Sequence, residues 1–173
     1  NDGRDRLTGE QLGLHTGDPR NFTCIEDVME AVKTQLLYFI KLLATEDHII
    51  DVVQSELTPH VLVSTMIPGC IEKGKDITAG GAIYHTTTPF GAGLATATDS
   101  LAAIKKAVFE DKSVSMDELL HALDTDFEGM EGEKIRQKLL ATPKFGNDDD
   151  YVDEFARFLT DTFMKEVETY ESG

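Results

Sequence analysis

Residues 25–57 read IEDVMEAVKTQLLYFIKLLATEDHIIDVVQSEL, and this stretch decides the fold class. Ile25, Val28, Val32, Leu36, Phe39, Leu43, Ile50, Val53 and Leu57 follow one another at steps of three, four or seven. That spacing lays a single apolar stripe along a helix. Thr23 and Glu26 stand at capping-box spacing just before it, so the helix is expected to start there. Unbroken, it would run roughly 50 Å at 1.5 Å per residue. The polar run Thr45–His48 is where it would be interrupted. A rod of that length suits the outside of a large domain or a coiled coil better than a small globule.

Further helices are legible on both sides. Thr58-Pro59 reads as an N-cap and first-turn proline of a short apolar helix ending before Pro68-Gly69. Residues 70–75 form one more turn. Leu101, Ile104, Ala107 and Val108 support a helix over 97–108, and Ser115 with Glu118 forms a second capping box. A helix over 131–141 follows, then a Pro-, Gly- and Asp-rich loop over 142–150. Val152, Phe155, Leu159, Phe163, Val167 and Tyr170 make the stripe of a last helix. Gly80-Gly81-Ala82-Ile83-Tyr84-His85-Thr86-Thr87-Thr88 is instead β-branched and aromatic, which predicts a short strand entered through glycines. Residues 1–23 read as loop, punctuated by Gly3, Gly9, Gly13, Gly17 and Pro19. The expectation is a mostly α chain with one or two short strands.

Composition removes several function classes. The 173 residues suffice for one domain or two small ones, and 40% hydrophobic with 28% charged residues is an ordinary globular balance. Asp and Glu number 32 against 16 Lys and Arg, a formal charge of -16. Nucleic-acid binding needs cations to displace phosphate counterions, and anionic membranes attract basic segments, so neither partner is expected. The 2 cysteines exclude a disulfide scaffold. No apolar run approaches the ~20 residues of a membrane-spanning helix. No signal peptide is visible. The first residue is Asn1, so the natural start of the protein is expected elsewhere.

Motifs that imitate chemistry mostly dissolve on inspection. Gly91-x-Gly93 has Thr96 where a dinucleotide fingerprint needs its third glycine. Asp124-Thr125-Asp126-Phe127-Glu128-Gly129 begins like a calcium loop, but its twelfth position is Ile135 instead of a bidentate Glu. Asp148, Asp149, Asp150, Asp153 and Glu154 suit the positive end of a helix dipole as solvated caps. His15, His48, His60, His85 and His121 show no metal-binding spacing, and no metal site is expected. Asn21-Phe22-Thr23 is a glycosylation sequon without a secretory context. Cys24 and Cys70 read as small packed side chains, since cysteine is among the most buried residue types.

Two stretches together resemble the glycyl radical enzymes of the pyruvate formate-lyase superfamily, in the branch of dehydratases, choline lyase and arylacetate decarboxylases. The first runs Cys70-Ile71-Glu72-Lys73-Gly74-Lys75-Asp76-Ile77, Gly80-Gly81-Ala82-Ile83-Tyr84 and Asp99-Ser100-Leu101-Ala102-Ala103-Ile104-Lys105-Lys106. The second is Lys144-Phe145-Gly146-Asn147-Asp148-Asp149-Asp150-Tyr151-Val152-Asp153. Thr16-Gly17-Asp18-Pro19 and Thr58-Pro59 also fit, so the likeness spans nearly the whole chain.

The resemblance implies a segment of a ten-stranded α/β barrel wrapped in helices. Such enzymes store a radical on a glycine in an R-V-x-G-Y-like loop and relay it to a cysteine in a G-C-V-E-like loop. Gly69-Cys70-Ile71-Glu72 imitates the second motif, but its spacing to Gly80-Gly81-Ala82 matches a different family cysteine, so Cys70 is not expected to carry the thiyl. No R-V-x-G-Y-like run occurs in the chain. Residues 1–173 are therefore expected to be one internal segment of a pyruvate formate-lyase-like domain, inert alone, with no catalytic residue and both radical sites outside it. The glycyl radical is the implied cofactor, with no metal or organic group held by this segment. The implied partners are a small-molecule substrate, the remainder of the same enzyme, a radical SAM activating enzyme and a second copy in a homodimer. The implied setting is anaerobic and cytoplasmic. A helical interaction module derived from the family is the alternative.

The resemblance also places the strand after Gly-Gly-Ala against the substrate, so Ile83, Tyr84 and Thr87 are its candidate substrate-binding residues. His85 is a weaker one, because neighbours on a strand face opposite ways. Diol- and choline-cleaving members commonly follow the Tyr with N-x-T-G-P-Q, where this chain has His85-Thr86-Thr87-Thr88-Pro89-Phe90. Sulfonate-cleaving members have Arg where this chain has Ile83. Both departures lean towards a less polar substrate such as an arylacetate.

Overall fold

The computed structural model describes residues 2–5, 7–85 and 89–170. Seven α-helices follow one another among them: α1 (Ile25–Leu57), α2 (Val61–Ser64), α3 (Cys70–Lys73), α4 (Leu94–Ile104), α5 (Met116–Asp124), α6 (Gly129–Leu140) and α7 (Asp150–Val167). A π-helical turn, Lys105–Glu110, extends α4. The chain divides into two compact units, residues 1–38 with 91–163, and residues 39–90 with 164–173.

α1 is continuous over 33 residues, so Thr45–His48 does not interrupt it. The Thr45 hydroxyl donates to the Lys41 carbonyl (2.9 Å), which satisfies it inside the helix. The start of α1 differs from the expected box. The Asp27 carboxylate, not Glu26, reaches back, accepting from the Thr23 N–H (2.7 Å), the Thr23 hydroxyl (3.0 Å) and the Cys24 N–H (3.3 Å). A carboxylate one residue later caps the orphan donors equally well once the helix begins at Ile25. Thr58 likewise caps nothing ahead of α2; its hydroxyl donates backwards to the Gln54 carbonyl (3.3 Å). Ser115 and Glu118 form their box as expected.

The first unit is built on side-chain burial. Ile25 and Val28 of α1, Leu101 and Ala102 of α4, and Val152, Phe155 and Leu159 of α7 form one apolar cluster. Val32 and Leu36 extend it along the α1 stripe. Ala107, Val114 and Leu119 make a second cluster over Ile135 and Leu139 of α6. Beside the first, Lys105 pairs with Glu154 (2.6 Å) and lies 4.4 Å from the Tyr151 ring centroid, a cation over an aromatic face.

The second unit buries far less. Ile40, Cys70 and Ala82 are its buried apolar residues among those described. Ile50, Val53 and Leu57 of the α1 stripe are exposed, as are Val61, Leu62 and Met66 around α2.

The expected strand over 80–88 is absent from the described residues, where residues 82–84 form bends and Thr86, Thr87 and Thr88 lie outside them. An isolated bridge, Arg4 with Gln11, is the sole ladder contact among the described residues. β-Branched composition describes a residue that fits a pleated surface; a strand also needs a paired backbone, and the Ile83 N–H donates to the Pro68 carbonyl (3.0 Å) in a turn contact instead. No helix among the described residues is long and apolar enough to cross a membrane.

Candidate functional site

The Gly80–His85 segment sits in the second unit, fastened to the short helices before it. Asp76 organises the entry. Its Oδ1 accepts from the Thr78 N–H (3.0 Å) and hydroxyl (2.7 Å), capping the 3-10 turn Ile77–Ala79. Its Oδ2 lies 2.7 Å from the hydroxyl of Ser64, a buried residue of α2 that also accepts from the Ile77 N–H (2.9 Å). The Ser64 hydroxyl, then Thr78, hold the Asp76 carboxyl well below the usual carboxylate range. Asp76 therefore stays an acceptor at any physiological pH.

From that anchor the chain turns through Gly80 and Gly81. The Gly81 N–H donates to the Asp76 carbonyl (2.9 Å). A Cβ on Gly81 would lie 2.1 Å from the Lys75 carbonyl oxygen, so only glycine fits. Gly69, at φ +100°, makes the matching approach from the other side; a Cβ there would lie 2.8 Å from the Gly81 carbonyl oxygen. Glu72 accepts from the Gly69 N–H (2.9 Å) and closes the first turn of α3. Lys73 of α3 reaches across, its ammonium donating to the Ala82 carbonyl (2.7 Å) and to that of Gly80 (3.3 Å).

Held this way, the backbone presents two large side chains outwards. Ile83 is 62% exposed and Tyr84 87% exposed, while His85 is half-buried. Strand alternation would have separated Ile83 from Tyr84; the observed bends leave both exposed. Thr87, the remaining candidate, lies outside the described residues. Cys70 is 2% exposed at the start of α3, which suits a small packed side chain. Sequence reasoning did not single out Ser64, Lys73 or Asp76. Asp76-Ile77-Thr78 does carry a local signal, an Asx-type turn in which Asp bonds the backbone two residues on. Lys73 carries none.

In the first unit, Asp2 binds the loop that carries Thr16-Gly17-Asp18-Pro19. Its Oδ2 lies 2.8 Å from His15 Nδ1, and its Oδ1 accepts from the Thr16 and Gly17 N–H groups. The His15 bond, then the two backbone donors, push the Asp2 carboxyl down to about 2. Among the described residues no three His, Cys, Asp or Glu side chains converge as a metal site would require.

The chain presents an isoleucine and a phenol from a clamped backbone. Such a surface can shape a ligand cavity and donate or accept one hydrogen bond.

Residues 1–172 match the family model described as pyruvate formate lyase-like. The trans-4-hydroxy-L-proline dehydratase of Clostridioides difficile is 44% identical over 96% of this chain and 21% of its own length. The (2S)-3-sulfopropanediol dehydratase of Klebsiella oxytoca is 36% identical over 96% of this chain and 20% of its own. The glycerol-bound B12-independent glycerol dehydratase from Clostridium butyricum superposes with a TM-score of 0.89 at 37% identity, over 99% of this chain and 21% of that one. The chain thus spans about a fifth of the length of the relatives it matches.

Proposed function

This chain belongs to the pyruvate formate lyase-like family, and on that premise we propose that it forms part of the substrate wall of a glycyl radical lyase that eliminates water from a small hydroxylated substrate. The observation that carries the reading is a clamped backbone with Ile83 and Tyr84 exposed at its end. A rigid support for exposed functional side chains is what a preorganised site requires.

The radical would supply hydrogen-atom abstraction, but no R-V-x-G-Y-like run lies in these 173 residues, and no radical step is routed through them. Ile83 limits the shape of what binds. The Tyr84 hydroxyl holds one polar group of the substrate, and Thr87 and the half-buried His85 remain further candidates for binding it. The relatives described above are dehydratases by name, at 36–44% identity, whereas an indoleacetate decarboxylase matches at 25%. That supports water elimination over the arylacetate decarboxylation towards which the residues after Tyr84 lean. A radical SAM activating enzyme and a second copy of the enzyme remain the partners we propose.

The test is the enzyme containing this segment, activated anaerobically and followed by EPR beside turnover on hydroxylated substrates. Tyr84→Phe should lower turnover about two- to tenfold, the worth of one neutral hydrogen bond, with the glycyl doublet intact. Ile83→Ala should widen the substrate range. Wild-type turnover and range in both variants would show that this segment is scaffold. Absence of a glycyl doublet from the activated enzyme would remove the radical reading altogether.

A further inference from the structure

We infer that Lys73 is a positioning residue: its ammonium, tethered to the Ala82 and Gly80 carbonyls, sets where Ile83 and Tyr84 stand. The inference rests on the reading that these two side chains face substrate.

The segment from Gly80 to Ile83 is held by two kinds of bond. Gly81 and Ile83 donate their N–H groups to the Asp76 and Pro68 carbonyls. The Ala82 carbonyl, on the peptide that leads into Ile83, receives the ammonium of Lys73 at 2.7 Å. The same nitrogen lies 3.3 Å from the Gly80 carbonyl, so it spans the turn on both sides of Gly81. Lys73 is itself placed at the end of α3, where its own N–H donates to the Gly69 carbonyl (3.0 Å). Gly69 in turn lies so close to Gly81 and Ile83 that a Cβ on it would meet both, at 2.8 and 2.9 Å. One short helix thus approaches the segment through both a glycine contact and a cation.

A charged donor on a neutral carbonyl is stronger than a neutral pair. Ordering a flexible lysine chain costs rotamer freedom, which the two carbonyl bonds offset. Arginine can reach the same carbonyls with a fork of donors, whereas methionine keeps the stem and removes the charge.

Lys73→Met in the intact enzyme should lower kcat/KM about tenfold as Ile83 and Tyr84 lose their place, with the glycyl EPR signal little changed. Hydrogen–deuterium exchange of the Gly81 and Ile83 amides should speed up about tenfold, because local opening governs it. Lys73→Arg should restore both readouts. Lys75→Met, which removes an exposed lysine of the same loop, should alter neither. Lys73→Gln carries the same comparison if the methionine variant does not fold. Unchanged exchange in Lys73→Met overturns the tether. Faster exchange with unchanged kcat/KM leaves the tether standing and overturns the positioning role. Tyr84→Phe then separates the causes: if it lowers turnover, the positioning role has failed; if it does not, the substrate wall has.

Discussion

Gly81→Ala tests the clamp where it is tightest. The added methyl would start 2.1 Å from the Lys75 carbonyl oxygen and 2.8 Å from that of Asp76. Real contacts of this kind begin near 3.0 Å, so the Lys75 peptide must recede by about 0.9 Å. Both neighbours are backbone and cannot rotate aside. Asp76 is further pinned by Ser64 and Thr78. Overpacking of this kind costs typically 1–3 kcal/mol, and about 2 kcal/mol corresponds to roughly a 30-fold change in an opening equilibrium. The expected result is about 30-fold faster amide exchange over residues 76–83, with turnover reduced. Gly91→Ala is the reference. The atoms nearest to a Cβ at Gly91 belong to the Phe163 ring, at 3.6 Å, an ordinary contact. Neither glycine has a positive φ, so the comparison isolates contact from backbone conformation. Gly91→Ala should be neutral or stabilise by about 0.4–1 kcal/mol through the unfolded chain. Wild-type exchange over 76–83 in Gly81→Ala would refute the close approach and the clamp built on it.

The Asp2 carboxyl should titrate near 2 in the folded chain, against ~3.9 unfolded. Its folded value is depressed, so its stabilisation is full above pH ~4 and is lost as pH falls through about 2. A carboxyl carbon NMR titration with its midpoint near 4 would contradict the Asp2–His15 loop. Phe155→Ala should cost about 3–5 kcal/mol, because a side chain 1% exposed leaves a cavity in the cluster of α1, α4 and α7. A loss below about 1 kcal/mol in chemical denaturation would show that the cluster is not the core of the first unit.

The helices were legible because their information is local. The α7 stripe and the Ser115–Glu118 box lie within a few residues of their own sequence signals. The start of α1 was misread by one carboxylate, since Glu26 and Asp27 are both close enough to reach back and only the chosen frame decides between them. The strand expected over 80–88 does not form over its described residues, 80–85, for a different reason. Its residue types favour a pleat, yet pairing is non-local, and the turn contacts with Pro68 and Asp76 hold the backbone instead. Ile83, Tyr84 and His85 became candidates through a family resemblance, not through any periodicity. The exposure of both Ile83 and Tyr84 follows from bends that strand logic could not anticipate.

The two units are specified by different physics, and this bears on where function can be read. An apolar stripe says that a face is fit to be covered, but not by what. On α1 the same stripe is core at Val28 and exposed at Val53. Burial is non-directional, so the first unit should tolerate volume-conserving exchanges such as Ile for Leu. The segment that presents Ile83 and Tyr84 has little burial to rely on. It is set by Gly69 and Gly81, which permit contact, and by Lys73 and Asp76, which direct it. Hydrogen bonds and close backbone approaches are directional, and a displacement of an ångström breaks them. Substitutions there should therefore act on geometry before they act on stability, and geometry is what the substrate wall we propose has to preserve.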